Sequence, residues 1–240
     1  MSIMQFKSFL NPYTLCFVLG IFLSPYTGFA SPDTDSLQRL VEPELTQTTQ
    51  RFYPELSFDY AFDLDALNPY RFDVSTLQDT FLLVMADSQC GFSFPHWGKV
   101  NSTFGWRKGR VHSGIDLQIE WGDTIRGAFD GVVRVSQFHK AYGNFIIIRH
   151  YNGLETLYAH LQSRFVVHGD AVSAGQIIGQ GGSTGRSTGA HLHFETRFLG
   201  RPIDPETFID FDARCLKSTV ASVHAGSFDI PQTKKSQRMF

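Results

Sequence analysis

Residues 144–161 read Asn144-Phe145-Ile146-Ile147-Ile148-Arg149-His150, then Tyr151-Asn152-Gly153, then Leu154-Glu155-Thr156-Leu157-Tyr158-Ala159-His160-Leu161. Two short apolar runs around an Asn-Gly break are the signature of a β-hairpin. The same texture extends outward from about Phe92 to Phe211, as short apolar runs separated by Gly. Asp130-Gly131 separates Thr124–Ala128 from Val132–Phe138 and predicts another hairpin. Gly169 to Gly179 predicts two very short strands around a tight turn, and Leu192 to Phe198 a last strong strand. No helical period of ten residues occurs in this block. The fold class expected is therefore mainly β and antiparallel.

The chain has 240 residues, of which 42% are hydrophobic and 18% charged, which excludes a disordered or collagen-like polymer. A formal net charge of −2 and no long basic run leave no electrostatic footprint for nucleic acid. Residues 1–30 hold one charged side chain, Lys7, then an apolar run from Thr14 to Leu23 and a small-x-small end at Gly28-Phe29-Ala30. This is the pattern of a cleaved signal peptide. Pro12 and Pro25 bracket too few residues for a membrane span, which needs roughly 20. The mature protein is expected to be exported, to the periplasm or cell envelope, with no stable membrane span. An oxidising compartment permits, without requiring, a bridge between Cys90 and Cys215.

Residues 31–90 read as a polar linker followed by an aromatic and acidic N-terminal arm, in which Phe52, Tyr53, Phe58, Tyr60 and Phe62 interleave with Asp59, Asp63 and Asp65. The arm supplies no dedicated metal ligand, which favours a cover for the main domain; an inhibitory arm lying in the active-site groove is the alternative. Residues 91–212 form the main domain. Residues 213–240 read as a polar and mobile C-terminal tail.

Chemistry concentrates in three places. In His112-Ser113-Gly114-Ile115-Asp116-Leu117-Gln118-Ile119, the alternation of Ile115, Leu117 and Ile119 puts them on one strand face, so His112 and Asp116 share the other. In His191-Leu192-His193-Phe194-Glu195, Leu192 and Phe194 point inward and the two histidines share the opposite face, about 6.5 Å apart along the strand. A Gly- and Ser-rich run, Gly179 to Ala190, leads into that pair. The third place is His160, closing a strand toward the same groove. His112, Asp116 and one histidine of the pair supply three ligands for zinc and leave a fourth position open, as a catalytic site requires. The remaining histidines suit general acid–base work. Spacing alone does not say which histidine of the pair is the ligand.

From about Val100 to Pro205 the chain resembles the lysostaphin-type (LytM-type) zinc metallopeptidases, a family of peptidoglycan endopeptidases. The resemblance is carried in order by Phe104-Gly105-Trp106-Arg107, His112-Ser113-Gly114-Ile115-Asp116, Gly143-Asn144, Tyr158-Ala159-His160-Leu161, Gly169-Asp170, Gly175-Gln176, Gly182 to Gly189 and His191-Leu192-His193-Phe194-Glu195. It implies one Zn2+ per chain held by His112, Asp116 and His193, with His160 and His191 as the non-ligand catalytic pair. It implies an antiparallel two-sheet domain with a narrow active-site groove, and hydrolysis of peptide bonds in peptidoglycan stem or cross-bridge peptides by zinc-activated water. Some relatives have lost ligands and only regulate other wall enzymes. The alternative is thus a non-cleaving, wall-binding regulator with a protein partner. All five positions are filled here. Arg107 is a candidate for binding a substrate carboxylate, since its fork suits bidentate recognition. His96, His139, His150, His168 and His224 fall outside the motif and read as surface or hydrogen-bonded histidines. A carrier-domain reading of Gly169–Gly179 fails, because no Lys lies between Lys140 and Lys217.

Overall fold

The computed structural model describes residues 67, 73, 77, 80–86, 91–107 and 109–230. The expected signal peptide, Cys90 and most of the N-terminal arm lie outside the described residues. The strands in chain order are β1 (Phe81–Val84), β2 (Val100–Ser102), β3 (Gly105–Arg107), β4 (Arg110–His112), β5 (Ile115–Gln118), β6 (Thr124–Arg126), β7 (Gly131–His139) and β8 (Gly143–His150). They continue with β9 (Leu154–Arg164), β10 (Ala171–Val172), β11 (Ile177–Gly181), β12 (His191–Phe198), β13 (Arg201–Ile203), β14 (Ile209–Asp210), β15 (Cys215–Leu216) and β16 (Val220–Val223).

Every pairing is antiparallel. The main sheet runs β10-β7-β8-β9-β12-β5-β2, with β13 also on β12 and β11 bridging β9 and β6. The fold is mainly β, as expected. The hairpin read from Tyr151-Asn152-Gly153 is β8–β9, and Gly153 takes the positive φ of 88° that its turn needs. The hairpin read from Asp130-Gly131 does not form: β6 pairs with β11 instead, and β7 takes β8 and β10 as neighbours. Asp130 is used elsewhere, its carboxylate accepting from the Ala174 amide at 2.7 Å. The 213–240 segment is not a mobile tail over its described part. β15 pairs with β14, and β16 pairs with β1, so residues expected in the arm and in the tail share a two-stranded sheet.

Alternation decides the two faces of the main sheet. Ile115, Leu117, Leu192, Phe194, Tyr158 and Ile146 are fully buried on one face, in the larger core cluster. Val135, Phe145, Ile147, Leu157 and Ala159 form a smaller cluster on the other, with Leu67 and Tyr142 packed against it. Side chains of this kind contribute about 1.5–3 kcal/mol each on full burial. β9 has two partners along one edge: β12 along Leu154–Ala159 and β11 along Leu161–Arg164. The changeover falls at His160.

His150 is 1% exposed. Its Nδ1 lies 3.0 Å from the Asp130 carbonyl, which can only accept, so Nδ1 carries the proton and Nε2 accepts from the Thr156 hydroxyl at 2.7 Å. Burial, the larger effect, outweighs that carbonyl bond and pushes His150 down to about 4. A folded-state pKa below the unfolded value of about 6.5 contributes stability in full above pH 6.5 and loses it as pH falls toward 4. In denaturant melts the stability gap between wild type and His150→Gln is therefore expected to narrow by about 2.5 kcal/mol from pH 7 to pH 4.5. A gap independent of pH would refute this.

Candidate metal centre

β12 lies between β5 and β9, and its register places His193 directly opposite Asp116 on one side and Ala159 on the other. His112 ends β4, and Ser113-Gly114 carries the chain into β5. That crossing passes so close to β12 that a Cβ on Gly114 would lie 2.2 Å from the Phe194 carbonyl oxygen. Glycine is required there, and the close approach brings His112 against His193.

Three atoms converge: His112 Nε2, Asp116 Oδ1 and His193 Nδ1, each 3.0 Å from the other two. All three residues are buried. Each imidazole is turned by its other nitrogen. His112 Nδ1 is held by the Thr103 carbonyl at 2.8 Å, and His193 Nε2 by Glu195 Oε1 at 2.8 Å. Both of those partners accept, so in the neutral rings the protons sit there and the lone pairs face the triangle. Three lone-pair atoms facing one another repel unless a proton or a cation lies between them. Tetrahedral zinc with ligands at about 2.0–2.1 Å gives edges near 3.3–3.4 Å, a few tenths more than those found. Two imidazoles and a carboxylate form a donor set that suits zinc. Burial disfavours a charged His193, but hydrogen bonds to Asp116 and Glu195 outweigh it and raise the ring to about 9. A metal ion at this corner competes with that proton, so uptake tightens as pH rises. Burial likewise opposes the Asp116 carboxylate, yet the bonds from His112 and His193 hold it well below the usual range.

His191 and His160 flank the triangle. His191 Nε2 is 3.7 Å from Asp116 Oδ1, and its Nδ1 is bonded to the Gly189 carbonyl at 2.9 Å. The rings of His160 and His191 have centroids 4.7 Å apart. His160 has a φ of 61°, a left-handed conformation uncommon for a residue with a side chain, and its amide donates to the Tyr142 carbonyl at 2.8 Å. His160 thus sits at a break inside β9 rather than at a strand end. Its Nδ1 is held by the Thr184 carbonyl at 2.8 Å. Burial comes first in pushing His160 down to about 4, outweighing that carbonyl bond, with His191 and His193 adding to the fall. Both rings therefore carry Nδ1–H in the neutral form and an Nε2 lone pair.

Thr184 belongs to the Gly-rich run, which is laid against β8. Gly143 has a φ of 67°, and an added Cβ would lie 2.3 Å from Thr184 Oγ1 and 2.4 Å from its carbonyl oxygen. Gly143→Ala is expected to lower stability by about 1–3 kcal/mol, through strain and overlap together. Denaturant midpoints check this, and an unchanged midpoint would contradict it.

Glu195 was not singled out by sequence reasoning beyond its place in a motif. It is fully buried and accepts at Oε1 from His193, from the Ser113 hydroxyl at 2.6 Å and from the Tyr142 hydroxyl at 3.0 Å. Its Oε2 accepts from Arg197 Nε at 2.5 Å. Arg197 also donates to Tyr142 Oη at 3.1 Å and to the Leu67 carbonyl at 3.0 Å. The available signal was parity: His191, His193, Glu195 and Arg197 alternate with Leu192, Phe194 and Thr196, so all four share one face.

Arg107, on β3, donates from Nη2 to Asp116 Oδ2 at 3.2 Å and from Nη1 to Ser102 Oγ. Tyr158 is fully buried, with its hydroxyl bonded to Thr156 and the Ala128 amide, and belongs to the core. The five histidines outside the motif lie apart from the cluster. His96 pairs with Asp123, His139 accepts from the Ala141 amide, His168 meets the Arg134 carbonyl, and His224 caps a short 3-10 turn over Ala225–Phe228.

Residues 110–205 match the model of Peptidase family M23. DD-carboxypeptidase/endopeptidase Mpg of Neisseria meningitidis serogroup B is 44% identical over 113 residues, 45% of this chain and 26% of that protein. The murein hydrolase activator NlpD of Escherichia coli strain K12 is 38% identical over 117 residues, 48% of this chain and 30% of that protein. The chain thus spans less than a third of the length of these curated relatives. Among solved structures, a mutant catalytic domain of the prophage-encoded M23 protein EnpA from Enterococcus faecalis is 33% identical, with 47% of this chain and 95% of that chain covered and a TM-score of 0.44.

Proposed function

Since the chain belongs, through residues 110–205, to peptidase family M23, we propose that it is an exported zinc metalloendopeptidase that hydrolyses peptide bonds in peptidoglycan. The observation that carries this is the triangle of His112 Nε2, Asp116 Oδ1 and His193 Nδ1 with two further imidazoles beside it. His112, Asp116 and His193 would hold the zinc ion, which would supply Lewis acidity toward a carbonyl or a water molecule. The chain's own groups handle the protons. In hydrolysis a water oxygen joins the acyl carbon, the C–N bond breaks and the amine leaves with one proton more than it had. His160 and His191 present Nε2 lone pairs toward this chemistry, so one accepts the proton from water and returns it to the leaving nitrogen. Their Nδ1–H bonds to Thr184 and Gly189 fix the tautomer that makes this possible.

Zinc-loaded protein incubated with cross-linked peptidoglycan fragments is expected to convert dimers to monomers, as read by mass spectrometry. A chelator-treated sample is expected to leave them intact. The likeness to NlpD motivates a second reading, a regulator that binds wall and activates a separate hydrolase. Dimers left intact by the zinc-loaded protein, together with faster cleavage by an added wall amidase, would favour that reading and sink the first.

A further inference from the structure

A cavity of about 310 Å³ is lined by Val100, Ser102, Thr103, Phe104, Trp106 and Arg107 among others. Its wall touches two of the three candidate ligands. The Thr103 carbonyl holds His112 Nδ1, and Arg107 pairs with Asp116 Oδ2. Arg107 thus joins the cavity wall to a candidate ligand. The Arg107 side chain is 46% exposed, against 12% for Asp116. A guanidinium has five N–H donors, and Asp116 and Ser102 take one each, which leaves donors for a ligand. A cation held by the triangle would draw the Asp116 charge toward itself and leave Arg107 incompletely neutralised. The ligand that fits is an anion small enough for the cavity and planar enough for the fork, a carboxylate.

Resting on the peptidase reading, we propose that Arg107 and this cavity form a carboxylate subsite that selects amide bonds whose nitrogen-bearing carbon also carries a free carboxylate. Such a carboxylate is three bonds from the scissile carbonyl carbon, so it reaches Arg107 while the carbonyl lies at the metal corner. Two kinds of wall bond have this feature. One is the bond to a C-terminal residue. The other is a direct cross-link to the amine of a diamino acid whose adjacent carboxylate stays free. An internal glycine bridge lacks it. The subsite therefore predicts cleavage of direct cross-links over glycine bridges.

The test uses the zinc-loaded full chain and direct cross-linked dimers in which that carboxylate is either free or converted to the carboxamide. The free acid is expected to be cleaved with a kcat/KM about 10- to 100-fold higher, the range of a charge-assisted hydrogen-bonded pair. Arg107→Gln is expected to bring the ratio near one by slowing the free acid far more than the carboxamide, while zinc affinity from chelator competition falls by no more than about threefold. The ratio is read on a single enzyme, so partial misfolding does not imitate its loss. Equal cleavage of acid and carboxamide by wild type would overturn the subsite and leave the peptidase standing. Arg107→Gln slowing both substrates equally, with weakened zinc binding, would make Arg107 a positioning residue for Asp116 and also overturn it. Cleavage of neither dimer by wild type would remove the peptidase reading and the subsite with it.

Discussion

If the proposed peptidase reading holds, His160→Asn is expected to lower kcat for cross-linked fragments by about 10²- to 10⁴-fold while zinc content stays at the wild-type level. The structure gives both halves of this expectation. His160 is no member of the ligand triangle, so its loss leaves the triangle's three atoms in place. It is 7% exposed, its Nδ1–H is committed to the Thr184 carbonyl, and burial keeps the ring near a pKa of 4 and so neutral at pH 7. A neutral ring with a lone pair on Nε2 accepts a proton; Asn at this position does not. Asn is the better test than Ala because His160 has a φ of 61°, which Asn tolerates and Ala resists. Ala adds backbone strain to the loss of the base. A parallel His191→Gln is expected to fall in the same range of kcat. Loss of zinc from His160→Asn would show that the ring supports the metal rather than the proton, and an unchanged kcat would remove it from the mechanism.

Much of this site was legible because strand parity survives folding. Ile115, Leu117 and Ile119 are all buried, which fixes Asp116 on the opposite face of its strand. His112 lies on β4, not on β5, and it is the Ser113-Gly114 crossing rather than parity that brings it to Asp116. The same rule gave His191 and His193 a common face, and applied two steps further it includes Glu195 and Arg197. What parity does not give is register, since a one-residue slip would exchange the faces. That His193 stands opposite Asp116 is a property of the β5–β12 ladder, between segments about 75 residues apart. Local turn chemistry also misled at Asp130-Gly131. β6 found its partner in β11, because the long-range edge outcompetes a neighbouring strand whose other positions are already paired with β8 and β10. His160 looked like a strand end because β9 changes partner there, and only the three-dimensional pairing shows the strand continuing to Arg164. The pairing of β1 with β16 was equally hidden, since neither segment has a strong period of its own.

Glu195→Gln carries the largest expected effect on stability, and it separates two roles of one carboxylate. Glu195 and Arg197 are 0% and 5% exposed, and the pair is closed by Tyr142, Ser113 and Leu67 around it. The two charges hold each other: the nearby guanidinium outweighs much of the burial that opposes the Glu195 carboxylate and, with His193, keeps it far below its usual range. Removing the negative charge leaves a buried guanidinium without its counter-ion, a change worth about 3–5 kcal/mol. For a chain of this size that corresponds to a Tm lowered by roughly 10 °C. The same carboxylate orients His193 through Nε2 and makes its Nδ1 a better donor, so zinc affinity is expected to fall by about 10- to 100-fold. A second replacement separates the two effects. Glu195→Gln with Arg197→Met neutralises the pair and is expected to regain much of the lost Tm, because no unpaired charge remains buried. Zinc affinity is not expected to recover, because His193 still lacks a carboxylate behind it. If Tm and zinc affinity recover together in the double variant, the carboxylate acts on the metal only by keeping the sheet folded. If affinity stays low while Tm returns, Glu195 sets the basicity of His193 and belongs to the metal centre.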